Sequence, residues 1–179
     1  MSIHKFVEGY WNSEGWTAVS VQKREARERE TFPMQSLGLS QWAMTAAERL
    51  YPDGLYRHQL EAVSKYASGS DVAIATGTAS GKSAVFHLSA LEMLYRDADS
   101  RILAIYPLKA LGKEQETRWR GAFRAAGLPE GWVARADGDV PVKARIRRLK
   151  DARCLIATPD IVHALLLSNV GEPGEIGRA

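Results

Sequence analysis

Thr76-Gly77-Thr78-Ala79-Ser80-Gly81-Lys82-Ser83 is the stretch on which the reading of this 179-residue chain turns. Holding a polyphosphate requires several backbone N–H groups converging on one point, and a tight loop of small residues provides them. A helix N-terminus behind the loop adds uncapped N–H groups and a dipole that favours anions. Lys82 then reaches the β- and γ-phosphates as a mobile cation, and the Ser83 hydroxyl ligates a nucleotide-held Mg²⁺. The general pattern is Gly-x-x-x-x-Gly-Lys-Ser/Thr. Here Thr76 replaces the first Gly, and Gly77 supplies part of the lost flexibility. Thr76, Gly77, Thr78, Ala79, Ser80, Gly81, Lys82 and Ser83 thus form the expected phosphate cradle, with Lys82 and Ser83 carrying its chemistry.

The flanks supply the setting such a loop needs. Before it, Val72-Ala73-Ile74-Ala75 is a short continuous apolar run, as in a strand buried on both faces. After it, Ala84, Leu88, Leu91 and Tyr95 make one stripe of a helix from Ser83 to about Arg96. Upstream, Pro52-Asp53-Gly54 is turn chemistry, Leu60, Val63 and Ala67 recur at helical spacing, and Ser68-Gly69-Ser70 ends that helix. Downstream, residues 101–106 read as a second buried strand. Leu111, Gln115, Trp119, Ala122 and Ala126 follow on one face of a helix. Residues 132–136 make a weaker third strand, 142–150 a short basic helix and 154–157 a fourth strand. Thr158-Pro159-Asp160 then opens a helix, with Thr as N-cap and Pro in the first turn. Strands alternating with helices imply α/β architecture, a parallel sheet flanked by helices and right-handed crossovers.

Composition sets the class without choosing the partner. The chain is 45% hydrophobic and 25% charged, close to an ordinary globular protein. Its formal net charge of +3 neither requires nor excludes nucleic acid. It holds no apolar window long enough for a membrane helix and no signal-peptide pattern, so a cytoplasmic location without membrane association is expected. Cys154, the single cysteine, lies in an apolar run and reads as core. His4, His58, His87 and His163 have no cysteines at ligand spacing, and no zinc site is expected. Three divisions follow: an N-terminal extension over 1–50, a nucleotide-binding domain over 51–170 and a tail over 171–179. The extension holds Trp11, Trp16, Trp42 and the densely charged stretch from Lys23 to Glu30. That stretch reads as a solvated helix face or a connector.

Four motifs stand in a telling order. Leu55-Tyr56-Arg57-His58-Gln59, the loop 76–83, Tyr106-Pro107-Leu108-Lys109-Ala110-Leu111 and Ala157-Thr158-Pro159-Asp160 resemble, over 51–167, the motif order of superfamily 2 DEAD/DEAH-box helicases. The Thr-Gly-Thr-Ala-Ser-Gly-Lys-Ser form, with Asp137-Gly138-Asp139 and the run from Thr158 to His163 downstream, looks most like the bacterial and archaeal branch containing mitomycin-repair helicases. The resemblance implies a RecA-like domain, ATP and Mg²⁺ as cofactors, and a nucleic-acid partner, DNA rather than RNA. Gln59 resembles the adenine-reading glutamine, whose carboxamide has both donor and acceptor; a surface helix glutamine is the plain alternative. Tyr56 either stacks on adenine or packs in the core. Pro107, Lys109 and Thr158 resemble residues at the nucleic-acid backbone, although helix capping explains Thr158 equally well. Leu108 departs from the threonine usual after that proline, which removes one polar contact to a phosphate. The basic helix from Lys143 to Lys150 is a second place where a phosphate backbone or solvent would lie.

Hydrolysis in that family needs a further acidic motif at a strand end, one residue for Mg²⁺ and one for the attacking water. Asp97, Asp99, Asp137 and Asp160 do not fit that role by position. The expected partners therefore include the missing remainder of a helicase, with the sheet incomplete. Two other readings stay open: a non-enzymatic nucleotide- or nucleic-acid-binding remnant, and an unrelated P-loop kinase or NTPase. Gln59, Lys109 and Thr158 would be coincidences under the last.

Overall fold

A computed structural model describes residues 10, 13–15, 30–77, 80–136 and 151–167. Trp11, Trp16, Thr78, Ala79, the acidic 137–139 segment, the basic 142–150 segment, nearly all of the charged 23–30 stretch and the tail lie outside them.

Residues 30–56 open with a two-residue pairing. β1 (Thr31–Phe32) lies antiparallel to β2 (Leu55–Tyr56), with α1 (Gln41–Leu50) between them in sequence. Gly54 makes this return possible. Its φ of +91° is open to glycine, and a Cβ there would sit 2.5 Å from the Phe32 carbonyl oxygen. α2 (Arg57–Ala67) follows directly, and α3 (Lys82–Arg96) begins at the end of the phosphate loop.

The sheet contains β3 (Ile102–Ile105), β4 (Val133–Ala136) and β5 (Cys154–Ala157), all parallel, in the order β3-β5-β4. Its registers place Ile102 and Val133 both opposite Cys154. α4 (Lys109–Ala125) connects β3 to β4 and packs on β4 and β5. These elements lie close to their sequence-expected bounds because each carries its own periodicity. Residues 72–75 do not. They form no strand; Val72 and Ile74 are half-buried and Ala73 and Ala75 exposed. An apolar run becomes a strand only beside another strand that takes its main-chain bonds, and among the described residues none lies there. β3, expected to be buried, likewise leaves Leu103 44% and Ile105 50% exposed.

One core joins the layers. Leu55, Val63, Leu88, Leu91, Phe123, Val133, Cys154 and Ile156 are fully buried within it. Burying side chains of this size contributes about 1.5–3 kcal/mol each. Burial also pushes the Cys154 thiol up to about 12, so it stays protonated and packs as a small apolar group. α1, assigned from sequence to the extension, shares this core through Ala43, Ala46 and Ala47 and packs on α3 and α4. Their small side chains let the helices approach closely. Two polar contacts fix the docking. The Ser40 N–H donates to Glu92 Oε2 at 2.7 Å, and Arg49 Nη1 donates to the Ala125 carbonyl at 2.9 Å, at the end of α4.

Candidate phosphate-loop site

Lys82 begins α3, and the residue before it decides the loop's shape. Gly81 is the N-cap at φ +75°, and it contributes no side-chain cap. The first turn of α3 also holds no acidic residue. Uncapped N–H groups and an unopposed dipole at the start of a 15-residue helix are what an anion requires.

The Lys82 ammonium turns back into the loop. It donates to the Gly77 carbonyl at 2.7 Å and the Thr76 carbonyl at 2.9 Å, with Ser80 Oγ at 3.3 Å and Thr76 Oγ1 at 3.4 Å. Thr76 Oγ1 and Ser80 Oγ lie 2.6 Å apart and close the loop across its base. The hydroxyl of Thr76, absent from the general glycine pattern, therefore has a structural task. The loop gathers oxygens around a cation that phosphate oxygens would otherwise meet. The residues present fit a nucleotide polyphosphate: Lys82 and the N–H groups at the start of α3 would hold it, and Ser83, the second residue of α3, would offer its metal a hydroxyl.

Gln59 is bound differently from the expectation of an adenine reader. It is 3% exposed. Its Oε1 accepts from the Tyr56 N–H at 2.8 Å, and its Nε2 donates to the Gly81 carbonyl at 2.7 Å. Both ends of the carboxamide are thereby used, tying the first turn of α2 to the phosphate loop. The bond to Tyr56 is a local capping contact at the start of α2, whereas the bond to Gly81 is made only in the fold. His58 adds a second tie, with Nε2 3.1 Å from the Ser80 carbonyl. Its ring stacks on Tyr56, centroids 5.8 Å apart and planes at 15°. The half-buried Tyr56 thus presents an aromatic face beside the loop. Arg57, next along, lies 4.7 Å over the Phe32 ring.

The sequence-expected nucleic-acid residues gather at the carboxyl end of the sheet. The Tyr106 N–H donates to the Ala157 carbonyl at 2.9 Å, which sets the segment after β3 beside the one after β5. Pro107 and Lys109 are exposed, and Leu108 is 65% exposed. Thr158 is 6% exposed and makes no side-chain cap to the short helix α5 (Pro159–Ile161). Its carbonyl instead accepts from Ile161 and Val162. Capping, one of the two sequence explanations for Thr158, is therefore not what its hydroxyl does.

A buried histidine lies behind the site. His87, on α3, is 4% exposed, with its ring centroid 4.6 Å from that of Trp119 and Nε2 without a hydrogen-bond partner. Desolvation, with Arg118 a lesser contributor, pushes its pKa down to about 4. Burial raises the pKa of Glu92 and Glu116, yet hydrogen bonds from Ser40 and then Arg96 to Glu92, and from Arg120 and Arg135 to Glu116, hold both below the usual carboxylate range.

The family model described as DEAD/DEAH box helicase matches residues 56–175. The ATP-dependent helicase HRQ1 of Saccharomyces cerevisiae is 32% identical over 118 residues, 65% of this chain and 11% of that protein. The ATP-dependent helicase YprA of Bacillus subtilis is 29% identical over 143 residues, 80% of this chain and 19% of that protein. Among solved structures, the DUF1998 helicase MrfA bound to DNA and AMPPNP superposes with a TM-score of 0.76 at 26% identity, covering 93% of this chain and 23% of that one. The chain thus spans under a quarter of the length of each of these relatives. No helix among the described residues is long and apolar enough to cross a membrane.

Proposed function

The chain belongs to the DEAD/DEAH box helicase family, and from that premise we propose that it is a helicase module holding ATP with Mg²⁺ at the loop 76–83. The observation that carries this reading is the uncapped start of α3, with the Lys82 ammonium surrounded by loop oxygens. Bound ATP would supply the phosphoryl group whose loss drives movement along nucleic acid. The chain's own part is to hold it. Lys82 exchanges its loop carbonyls for phosphate oxygens, Ser83 completes the metal shell, and Tyr56 offers its ring to the base. Pro107, Lys109 and Thr158 form the nucleic-acid side of the module. DNA is the preferred strand, a reading supported by the DNA-bound state of the MrfA structures. Unwinding is assigned to this module together with polypeptide outside the matched span, as the greater length of the relatives suggests.

Titration with Mg-ATP tests the phosphate site. Lys82→Ala is expected to weaken binding by at least about tenfold, near 1.4 kcal/mol. The loss is a difference, because the lysine gives up its own loop contacts when it takes a phosphate. Equal affinity of the two proteins would refute the assignment.

Gln59 is tested by comparing ATP with GTP. If it reads the base, the unmutated protein prefers adenine, because guanine places an acceptor where adenine places a donor, and Gln59→Ala removes that preference. If the carboxamide serves only as the strut seen here, Gln59→Ala weakens both nucleotides alike. We expect the first result, with the carboxamide's second N–H and second lone pair turned to adenine while its bonds to Tyr56 and Gly81 are kept; parallel losses would assign Gln59 to loop support alone.

A further inference from the structure

Two consecutive side chains of α2 meet two consecutive carbonyls of the phosphate loop. Gln59 Nε2 donates to the Gly81 carbonyl at 2.7 Å, and His58 Nε2 lies 3.1 Å from the Ser80 carbonyl. A carbonyl only accepts, so in this contact Nε2 carries the imidazole proton and donates it. Both contacts join positions 22 residues apart, fixing the opening of α2 against the entry to α3. The Ser80–Gly81 peptide is trans, and in a planar trans peptide the N–H points opposite to the C=O. Turning the Ser80 carbonyl toward His58 therefore turns the Gly81 N–H away from α2. By the same geometry the Gln59 bond turns away the Lys82 N–H. Among the described residues, the first N–H of α3 taken by the main chain is that of Ala84, which the Gly81 carbonyl accepts at 3.0 Å. The N–H groups before it are left to a ligand.

We propose that His58 is a positioning residue of the nucleotide site: it aims the Gly81 N–H at the phosphates and touches no phosphate itself. The inference rests on the reading of 76–83 as the ATP loop. Position 81 needs such a hold. Its φ of +75° lies in the region glycine enters freely, and a peptide with glycine on one side turns over readily unless its carbonyl is tied. An inverted Ser80–Gly81 peptide would put a carbonyl oxygen where an anion must sit, and would repel it. The His58 bond opposes that inversion, so the donor is in place before the nucleotide arrives. The ring is itself held in place. It stacks on Tyr56, the N-cap of α2, with 15° between the planes. Two other roles for a histidine here fit less well. As a stacking surface for the base, it is already covered on one face by Tyr56, and its Nε2 is turned to the loop. As a metal ligand it lacks companions, since no group of three His, Cys, Asp or Glu side chains able to hold a metal occurs among the described residues.

Calorimetric titration of the full chain of 179 residues tests this, with Mg-ATP and with Mg-tripolyphosphate, which has the phosphates and no base. His58→Ala is expected to weaken both ligands by the same factor, about fivefold, the contribution of one such hydrogen bond. His58→Gln should restore both, because the glutamine Nε2 stands as many bonds from Cα as the imidazole Nε2 does. His58→Asn, one bond shorter, should not. Matching urea midpoints for the Gln and Asn variants would show that their difference in binding reads the hydrogen bond and not the fold. Loss of ATP affinity alone would mean that His58 acts on the base by way of Tyr56, and would overturn the proposal. Equal affinities of the Gln and Asn variants would assign the ring to packing, and unchanged affinity in His58→Ala would leave the Gly81 N–H held by something else; either result overturns it too. Lys82→Ala separates this proposal from the reading beneath it. If Lys82→Ala loses tripolyphosphate while His58→Ala keeps it, the ATP loop stands and the role of His58 falls. If Lys82→Ala keeps both ligands, the loop assignment falls, and the proposal with it.

Discussion

Gly81→Ala is expected to cost at least about 2 kcal/mol of nucleotide affinity, near thirtyfold. Two separate penalties meet at this position. The backbone sits at φ +75°, where any side chain costs about 1–2 kcal/mol. The new Cβ would also lie 2.5 Å from Gln59 Nε2. The end of a glutamine side chain ordinarily moves aside cheaply. This one is 3% exposed and held at both ends, by Tyr56 and by Gly81 itself. Moving it leaves a buried amide without partners, a penalty of about 1–3 kcal/mol. The loop then no longer presents the start of α3 and Lys82 together. A double-mutant cycle separates the causes: Gln59→Ala added to Gly81→Ala should restore the steric part and leave the backbone part. Undiminished ATP affinity in Gly81→Ala would mean that the loop binds in another conformation.

Acid should weaken the fold through His87 before it reaches the carboxylates. The folded state keeps this imidazole neutral down to about pH 4, while the unfolded chain takes up its proton near 6.5. Above 6.5 both states are neutral and the group contributes no pH dependence. Between 6.5 and 4 the unfolded state alone binds the proton. Stability falls by up to about 1.4 kcal/mol per pH unit, some 3 kcal/mol over the window. Below 4 this contribution levels off, and the losses from Glu92 and Glu116 take over as they are protonated away from their arginines. Urea midpoints at pH 7.5, 6 and 5 measure the slope, and His87→Leu should flatten it. A slope unchanged by that substitution would place the titrating group elsewhere.

What the sequence made legible was what is encoded locally. The loop 76–83, the helix behind it and the strands at 102–105 and 154–157 each carry a pattern complete within a dozen residues. The parallel α/β order followed from their alternation. The rest depends on neighbours distant in sequence. The apolar run 72–75 has strand composition and no ladder, so composition alone overstated it. α1 fell within the N-terminal extension because its core face is made of alanines, which give a weak hydrophobic signal and pack closely. Gln59 was legible as a residue of interest, and its bond to Tyr56 is local, but its bond to Gly81 spans 22 positions. His87 carried no motif at all; its depressed pKa arises from burial against Trp119 and can be seen only in the assembled core.

The bond from Ser40 to Glu92 bears on where this protein can be cut. A shortened chain beginning at Tyr51, the natural choice from the motifs, would remove the N–H that holds one oxygen of a carboxylate 3% exposed. Arg96 would keep the other oxygen, at 2.8 Å. The excised piece would also strip Ala43, Ala46 and Ala47 from the backs of α3 and α4. The phosphate-loop helix would then carry a half-partnered buried charge beside a newly wetted apolar face. A soluble minimal ATP-binding fragment should therefore start before Ser40, with the whole of α1 retained.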